Sequence, residues 1–254
     1  MLEHDYFHSL NFQPEANCLA EKVILVTGAG AGIGQTAAKT FAAYGATVIL
    51  LGKTTKKLEQ TYDDIVAAGY PQPAIFPLDL LGANPDHYAE MVKTIEENFG
   101  RLDGLLHNAS ILGELAPIAN QNIEQWFKVQ QINVNAPFMM TQACLPLLTK
   151  SASASLVFTS SGVGRRGRAY WGAYSVSKFA TEGFMQILAD ELETNTKVRS
   201  NAINPGATRT MMRAKAYPGE DPQSLKTPEE IMPLYLYLMS DASKDINGQT
   251  LDAQ

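Results

Sequence analysis

The sequence is short of the residues that staple, ligate or anchor a chain. Cysteine occurs only twice in 254 residues, at Cys18 and Cys144, too few and too far apart for a disulfide framework. Free thiols in a reducing compartment are the simpler expectation, with Cys144, in an apolar helical run, as a small core residue. The four histidines do not cluster, so no metal site is expected. No uninterrupted apolar run approaches the ~20 residues of a membrane span. The first residues are acidic and polar, without the apolar segment of a secretory leader, so the cytoplasm is the default. Positive charge is not in excess: the net charge is −6, which disfavours general nucleic-acid binding. With 45% hydrophobic and 18% charged residues, the chain reads as globular rather than disordered. No repeat, low-complexity tract or linker divides it. Residues 1–20 lack a clear period and read as an N-terminal arm. Residues 21–254 read as a single domain, a length that suits one α/β unit with a large core.

What is present is alternation. Val23-Ile24-Leu25-Val26 and Val48-Ile49-Leu50-Leu51 are continuous apolar runs, as buried parallel strands should be. Ala74 to Phe76, Leu102 to Leu106, Leu156 to Phe158, Val198 to Ile203 and Gln249 to Leu251 complete seven predicted strands. Helices between them carry their own punctuation. Asn84-Pro85 offers a cap and a first-turn proline, Tyr88, Met91, Val92, Ile95 and Phe99 form a stripe, and Gly100 ends it. Thr227-Pro228-Glu229-Glu230 reads as a capping box. Such alternation predicts a doubly wound parallel sheet with helices on both faces and ligands at the carboxyl ends of the strands.

Two constellations carry chemistry. After the first strand comes Thr27-Gly28-Ala29-Gly30-Ala31-Gly32-Ile33-Gly34, then a helical stretch. Glycines let backbone turn tightly and approach a ligand, and a helix start presents free N–H groups to a diphosphate. Ile33 stands where the common G-x-G-x-x-G pattern has its third glycine. Further on, Tyr174 and Lys178 are four residues apart, so a helix puts them on one face. Ser161 lies thirteen residues before the tyrosine. A cation in a partly dry site would lower the phenol from its usual ~10, and the serine could hold the same substrate oxygen. A bare Y-x-x-x-K is weak; the serine and the glycine loop make the set specific.

Thr27-Gly28-x-x-x-Gly32-x-Gly34, Asn108-Ala109, Asn133, Ser161, Tyr174, Lys178 and Asn204-Pro205-Gly206 resemble, in order and spacing, the short-chain dehydrogenase/reductase family in its single-domain branch. The resemblance covers nearly the whole chain from about residue 21. Ala46 to Gly52 and Trp171 to Tyr174 are similar to the YciK-type group of bacterial oxidoreductases, whose substrates are poorly defined. The resemblance implies a Rossmann-type fold. It implies that Tyr174 is the general acid in reduction and base in oxidation, that Lys178 lowers its pKa and binds the nicotinamide ribose, and that Ser161 polarises the carbonyl. Asn133, seven residues after Trp126, matches an asparagine holding a water in a proton relay; a helix asparagine bonded to backbone is the alternative. Gly28, Gly32, Ile33 and Gly34 would cradle the diphosphate. Asp79 with Leu80 would meet adenine, or Asp79 would cap its own turn. Asn108-Ala109 would line the ribose side, and Pro205, Gly206 and Thr208, with Thr210 beside them, the carboxamide. His107, where relatives often have asparagine, reads as a hydrogen-bonded structural histidine, and Ser110 departs from the usual glycine.

An acid at the end of the second strand would hold the ribose of NAD. Here Gly52-Lys53-Thr54-Thr55-Lys56-Lys57 stands instead, which favours NADP(H), with Lys53 on the phosphate; NAD(H) remains possible, and Lys56 and Lys57 also fit a solvated helix start. The expected partner is a small carbonyl or alcohol substrate, with a homodimer or homotetramer implied by the resemblance. Arg165, Arg166 and Arg168, beside Ser161, could recognise an anion or simply meet surface acids. The segment from about Met211 to Lys226 is expected to be a mobile flap. A non-catalytic dinucleotide-binding sensor is the alternative function. The longer epimerase and dehydratase branch is disfavoured, because the chain closes at Gln254 directly after the last predicted strand.

Overall fold

The computed structural model describes residues 6–254 and contains one seven-stranded, wholly parallel sheet. The strands are β1 Val23–Thr27, β2 Thr47–Gly52, β3 Ala74–Pro77, β4 Gly104–His107, β5 Ala154–Thr159, β6 Val198–Asn204 and β7 Thr250–Asp252. The helices are α1 Tyr6–Ser9, α2 Gly32–Ala43, α3 Thr55–Ala67, α4 Pro85–Phe99, α5 Ile123–Gln130, α6 Ala136–Leu148, α7 Gly172–Glu193, α8 Met211–Ala216 and α9 Met232–Met239. The expected doubly wound α/β architecture is therefore present, and every predicted strand falls on an observed one.

Strand order is β3-β2-β1-β4-β5-β6-β7. The chain winds outward from β1 to β3 and then crosses back to β4. That reversal opens a crevice at the carboxyl ends of β1 and β4, where an open α/β sheet binds ligands. Every residue of β1, β4 and β5 is buried, which is why these strands read as apolar runs rather than alternating ones. One core, around Phe41, Leu50, Tyr235 and Leu238, lies under α2 and α9. The other, around Tyr88, Met91, Phe158 and Met185, lies under α4, α6 and α7.

Local signals explain the helix ends. Asn84 accepts from the backbone of Asp86 and His87, Pro85 occupies the first turn, and Gly100 closes α4 at φ 68°. Thr227 and Glu230 bond each other's backbone N–H as a capping box should, though the turn they start is a short 3-10 segment that leads into α9. Of the N-terminal arm, residues 1–5 lie outside the described residues. Phe7 and Phe12 pack on Tyr237 with ring centroids 5.5 and 5.1 Å away, and Leu19 is fully buried. Among the described residues no helix is long and apolar enough to cross a membrane.

Candidate active site

The crevice is a cavity of about 810 Å³ at the carboxyl ends of the strands. Its wall brings together Gly28, Gly32, Ile33, Lys53, Asp79, Leu80, Asn108, Ala109, Ser161, Tyr174, Pro205, Gly206, Thr208 and Thr210, residues spread over some 180 positions of sequence. Gly34, Lys178 and Asn133 stand behind that wall.

The phosphate-side floor is built first. Thr27 ends β1, and its hydroxyl donates to the Leu106 carbonyl while accepting from the backbone N–H of Asn108 and Ala109 at 2.9 and 3.0 Å. One side chain thus pins the turns after β1 and β4 together. Gly28 turns at φ 70°, where a Cβ is disfavoured. The start of α2 follows, and its N-cap, Ala31, has no side chain to satisfy the first N–H groups. The helix start lies on the cavity wall, and its free N–H groups and dipole fit a diphosphate.

The catalytic side is built on β5 and α7. Ser161 follows β5, and its hydroxyl stands beside the Tyr174 phenol on the same cavity wall, where it favours the ionised form of the phenol. Lys178 lies one turn along α7, with its ammonium 5.5 Å from the centre of the tyrosine ring. It donates to the Thr159 carbonyl at 2.6 Å. The grouping is as expected, but the electrostatics differ. Burial pushes the Tyr174 phenol up to about 12, outweighing the Ser161 hydroxyl that pulls it down. Burial likewise brings the Lys178 ammonium down to about 8, against the pull of the Glu182 carboxylate. The acidified phenol expected from a neighbouring cation is therefore not a property of the protein alone. Taken out of water, the phenol keeps its proton at neutral pH.

Asn133 is tied mainly to backbone. Its side-chain oxygen accepts from Ile111 N–H at 2.9 Å, and its amide donates to the Ile111 carbonyl and the Ser177 hydroxyl, both at 3.0 Å. The side chain braces the loop after β4, which is the backbone-bonded role that the sequence left as the alternative to holding a relay water. It sits in a π-helical turn, Gln131–Asn135, between α5 and α6. Backbone spacing in such turns is wider, and they often occur at functional sites.

Asp79 accepts from Leu81 N–H at 3.1 Å, so it caps its own turn while lining the cavity. Pro205 is held through its carbonyl by Thr208 and Gln254 at 3.0 and 2.6 Å. Residues 211–226, expected as a mobile flap, are braced. Arg209 donates to the carbonyls of Pro222 and Leu225, Arg213 forks onto Glu220 with both contacts at 2.6 Å, and α8 occupies the first part. Arg165 proves to be a structural cation, paired with Asp252 at 2.9 Å.

A family model described as short chain dehydrogenase matches residues 22–221. The chain belongs to the short-chain dehydrogenase family. The uncharacterized oxidoreductase YciK of Escherichia coli K12 is 56% identical over 245 residues, 96% of each chain. A short chain dehydrogenase from Shigella flexneri 2a, crystallised with NADP, superimposes with a TM-score of 0.92 at 56% identity, covering 94% of this chain and 100% of that one. Another from Escherichia coli CFT073, crystallised with NADPH, gives a TM-score of 0.93 at 56% identity over 95% and 100% of the two chains. The resemblance expected from the motifs, including the YciK-type group, is borne out.

Sequence reading of this short-chain dehydrogenase left the role of Lys57 open and missed Glu182. Lys57 lines the cavity beside Lys53 and Thr54, whereas Lys56 does not; the three-to-four-residue helix period of α3 could have signalled it. Glu182 is buried and accepts from Ser160 and Thr250, a partnership across 68 positions that no local pattern announces.

His107 is the structural histidine expected. Its Nε2 meets the Thr141 hydroxyl at 2.8 Å and its ring stacks on Phe158 with centroids 4.8 Å apart. Burial pushes its pKa down to about 3. The folded value lies below the unfolded ~6.5, so the unfolded chain binds the extra proton first. The stability contribution is complete above pH ~6.5 and is lost as pH falls toward 3. Between pH 7 and pH 5 the native chain should lose on the order of 2 kcal/mol more than His107→Gln, measured by urea denaturation. Equal losses would show that the histidine does not titrate as its burial requires.

Proposed function

We propose that this chain is an NADP(H)-preferring oxidoreductase interconverting a carbonyl and a secondary alcohol on a small molecule, in one domain spanning residues 21–254. The observation that carries the reading is the Ser161–Tyr174 hydroxyl pair on the same cavity wall as the glycine loop. Bound in that cavity, the nicotinamide cofactor would supply or take up the hydride. Lys53, with Thr54 and Lys57, would hold the 2′-phosphate, the α2 N–H groups the diphosphate, and Pro205, Gly206 and Thr208 the carboxamide end. Ser161 would fix the substrate oxygen by a hydrogen bond. Tyr174, kept protonated by its burial, would donate the proton that oxygen needs on reduction. Lys178 would hold the ribose from beneath the tyrosine ring. The crystallised relatives with NADP and NADPH support the cofactor assignment.

The test is consumption of NADPH by purified protein with a panel of carbonyl compounds. Tight NADPH binding with no turnover on any of them would favour the dinucleotide sensor instead. Lys53→Ala tests the phosphate contact: it should weaken NADPH roughly five- to tenfold more than NADH, the value of one charge-assisted hydrogen bond. Equal losses in a fluorescence titration would remove that contact. We propose further that the protein is a cytoplasmic homodimer or homotetramer. Phe127 on α5, Phe138 on α6 and Phe179 on α7 are exposed by 66, 48 and 45%, as apolar residues awaiting a second copy would be.

A further inference from the structure

Beside the dinucleotide cavity lies a second one, of about 660 Å³. The two share Ser161, Trp171, Gly206 and Arg213 on their walls, so the second opens onto the Ser161 end of the first. It is distant from Lys53 and the adenosine side, none of which lines it. Three arginines face it, Arg166, Arg168 and Arg213, and no carboxylate side chain is on its wall.

The arginines differ in what holds them. Arg213 is neutralised by its fork onto Glu220 and stacks on Tyr217, with the guanidinium 3.8 Å from the ring centre. Arg168 donates to the Tyr217 hydroxyl at 2.7 Å, a neutral acceptor that orients the guanidinium and leaves its charge in place. The guanidinium of Arg166 has no hydrogen bond or ion pair among the described residues. Tyr217 thus organises one end of the cavity, while two uncompensated positive charges remain beside the serine. A guanidinium presents a planar fork of donors that matches a carboxylate or phosphate two bonds at a time. In a chain of net charge −6, such a local surplus would also draw an anion toward this mouth.

We propose that the substrate of this enzyme carries an oxyanionic group, carboxylate or phosphate, that Arg166 and Arg168 bind in this second cavity while its carbonyl lies against Ser161 and Tyr174. The proposal rests on the oxidoreductase reading and adds the substrate class. Arg166 supplies the fork, Arg168 the second charge, and Tyr217 holds Arg168 in place.

The test compares 4-carboxybenzaldehyde and 4-formylphenyl phosphate with the neutral methyl 4-formylbenzoate, at saturating NADPH so that the 2′-phosphate site is filled. Each compound is followed by kcat/KM and, separately, by its binding to the NADP⁺-loaded protein. Comparing wild type with Arg166→Gln and Arg168→Gln cancels the intrinsic reactivity of the three aldehydes. Each variant should lower the preference for the anionic compounds over the ester about tenfold, the loss of one charge-assisted contact. Whether carboxylate or phosphate loses more identifies the favoured head. An anion-to-ester ratio that is the same in wild type and both variants, in kinetics and in binding, overturns the proposal. Turnover without any charge preference defeats the anion site and leaves the oxidoreductase reading. Charge-selective binding that the variants abolish, with no turnover of any aldehyde, does the reverse.

Discussion

Tyr174→Phe should cut carbonyl turnover by about 10²–10⁴, the usual contribution of a positioned proton donor, while NADPH affinity stays within about twofold. The reason is geometric. The ring remains, packed against Trp171 with centroids 5.8 Å apart and over the Lys178 ammonium, so the cavity wall keeps its shape. Only the hydroxyl goes, and with it the proton source beside Ser161. The phenol's upward displacement to about 12 adds a pH argument. The folded value exceeds the unfolded one of ~10, so this group adds stability below pH ~10 that is lost as pH rises through 12. At neutral pH it is in the acid form, ready to donate in reduction; oxidation requires the other form and should gain rate as pH rises. Steady-state kinetics and a cofactor titration on the same preparation check the prediction. Turnover near that of the native enzyme would refute the proton role.

Gly34→Ala should damage both folding and cofactor binding. A methyl there would stand 2.4 Å from the Gly28 carbonyl oxygen and 2.5 Å from the Asn108 amide. Neither can step aside. Gly28 is backbone in a tight turn, and Asn108 is tied to the Thr27 carbonyl and accepts from the Thr159 hydroxyl, each at 3.3 Å. Overpacking of this kind costs about 1–3 kcal/mol, and the same displacement moves the glycine loop on the wall of the dinucleotide cavity proposed above. A loss of cofactor affinity of tenfold or more is expected, since about 1.4 kcal/mol suffices for it. Gly82→Ala, where an added methyl meets nothing within 4 Å, is the control. Thermal melts and NADPH titration decide; a variant matching the native protein in both would show that the loop is not packed as described.

The two outcomes differ in how far sequence anticipates them. Tyr174 and Lys178 could be paired from their spacing, because one helix turn is a local rule. The sign of the phenol's displacement could not, because it depends on how much of β5 and α7 closes over the hydroxyl. Arg165 and Arg166 are adjacent and chemically identical, yet one pairs with Asp252 on β7 and the other faces a cavity. Asn133 lies at the expected spacing, but its side chain bonds Ile111 and Ser177, partners set by the packing of α5, α6 and α7. The bracing of residues 211–226 by Arg209 and Arg213 was invisible in the sequence, because their acceptors are set by the path of the loop.

By itself the sequence determined the alternation of strands and helices, the seven-stranded parallel sheet, the glycine loop, the family, and the Ser161-Tyr174-Lys178 set. All of these rest on periodicity, backbone freedom or spacing within a few turns, which neighbouring residues encode. Tertiary structure alone decided which charges are buried, which arginines are neutralised, what Asn133 and Glu182 hold, and where the second cavity opens. Those depend on desolvation and on partners brought together from distant parts of the chain, and neither can be computed from local order.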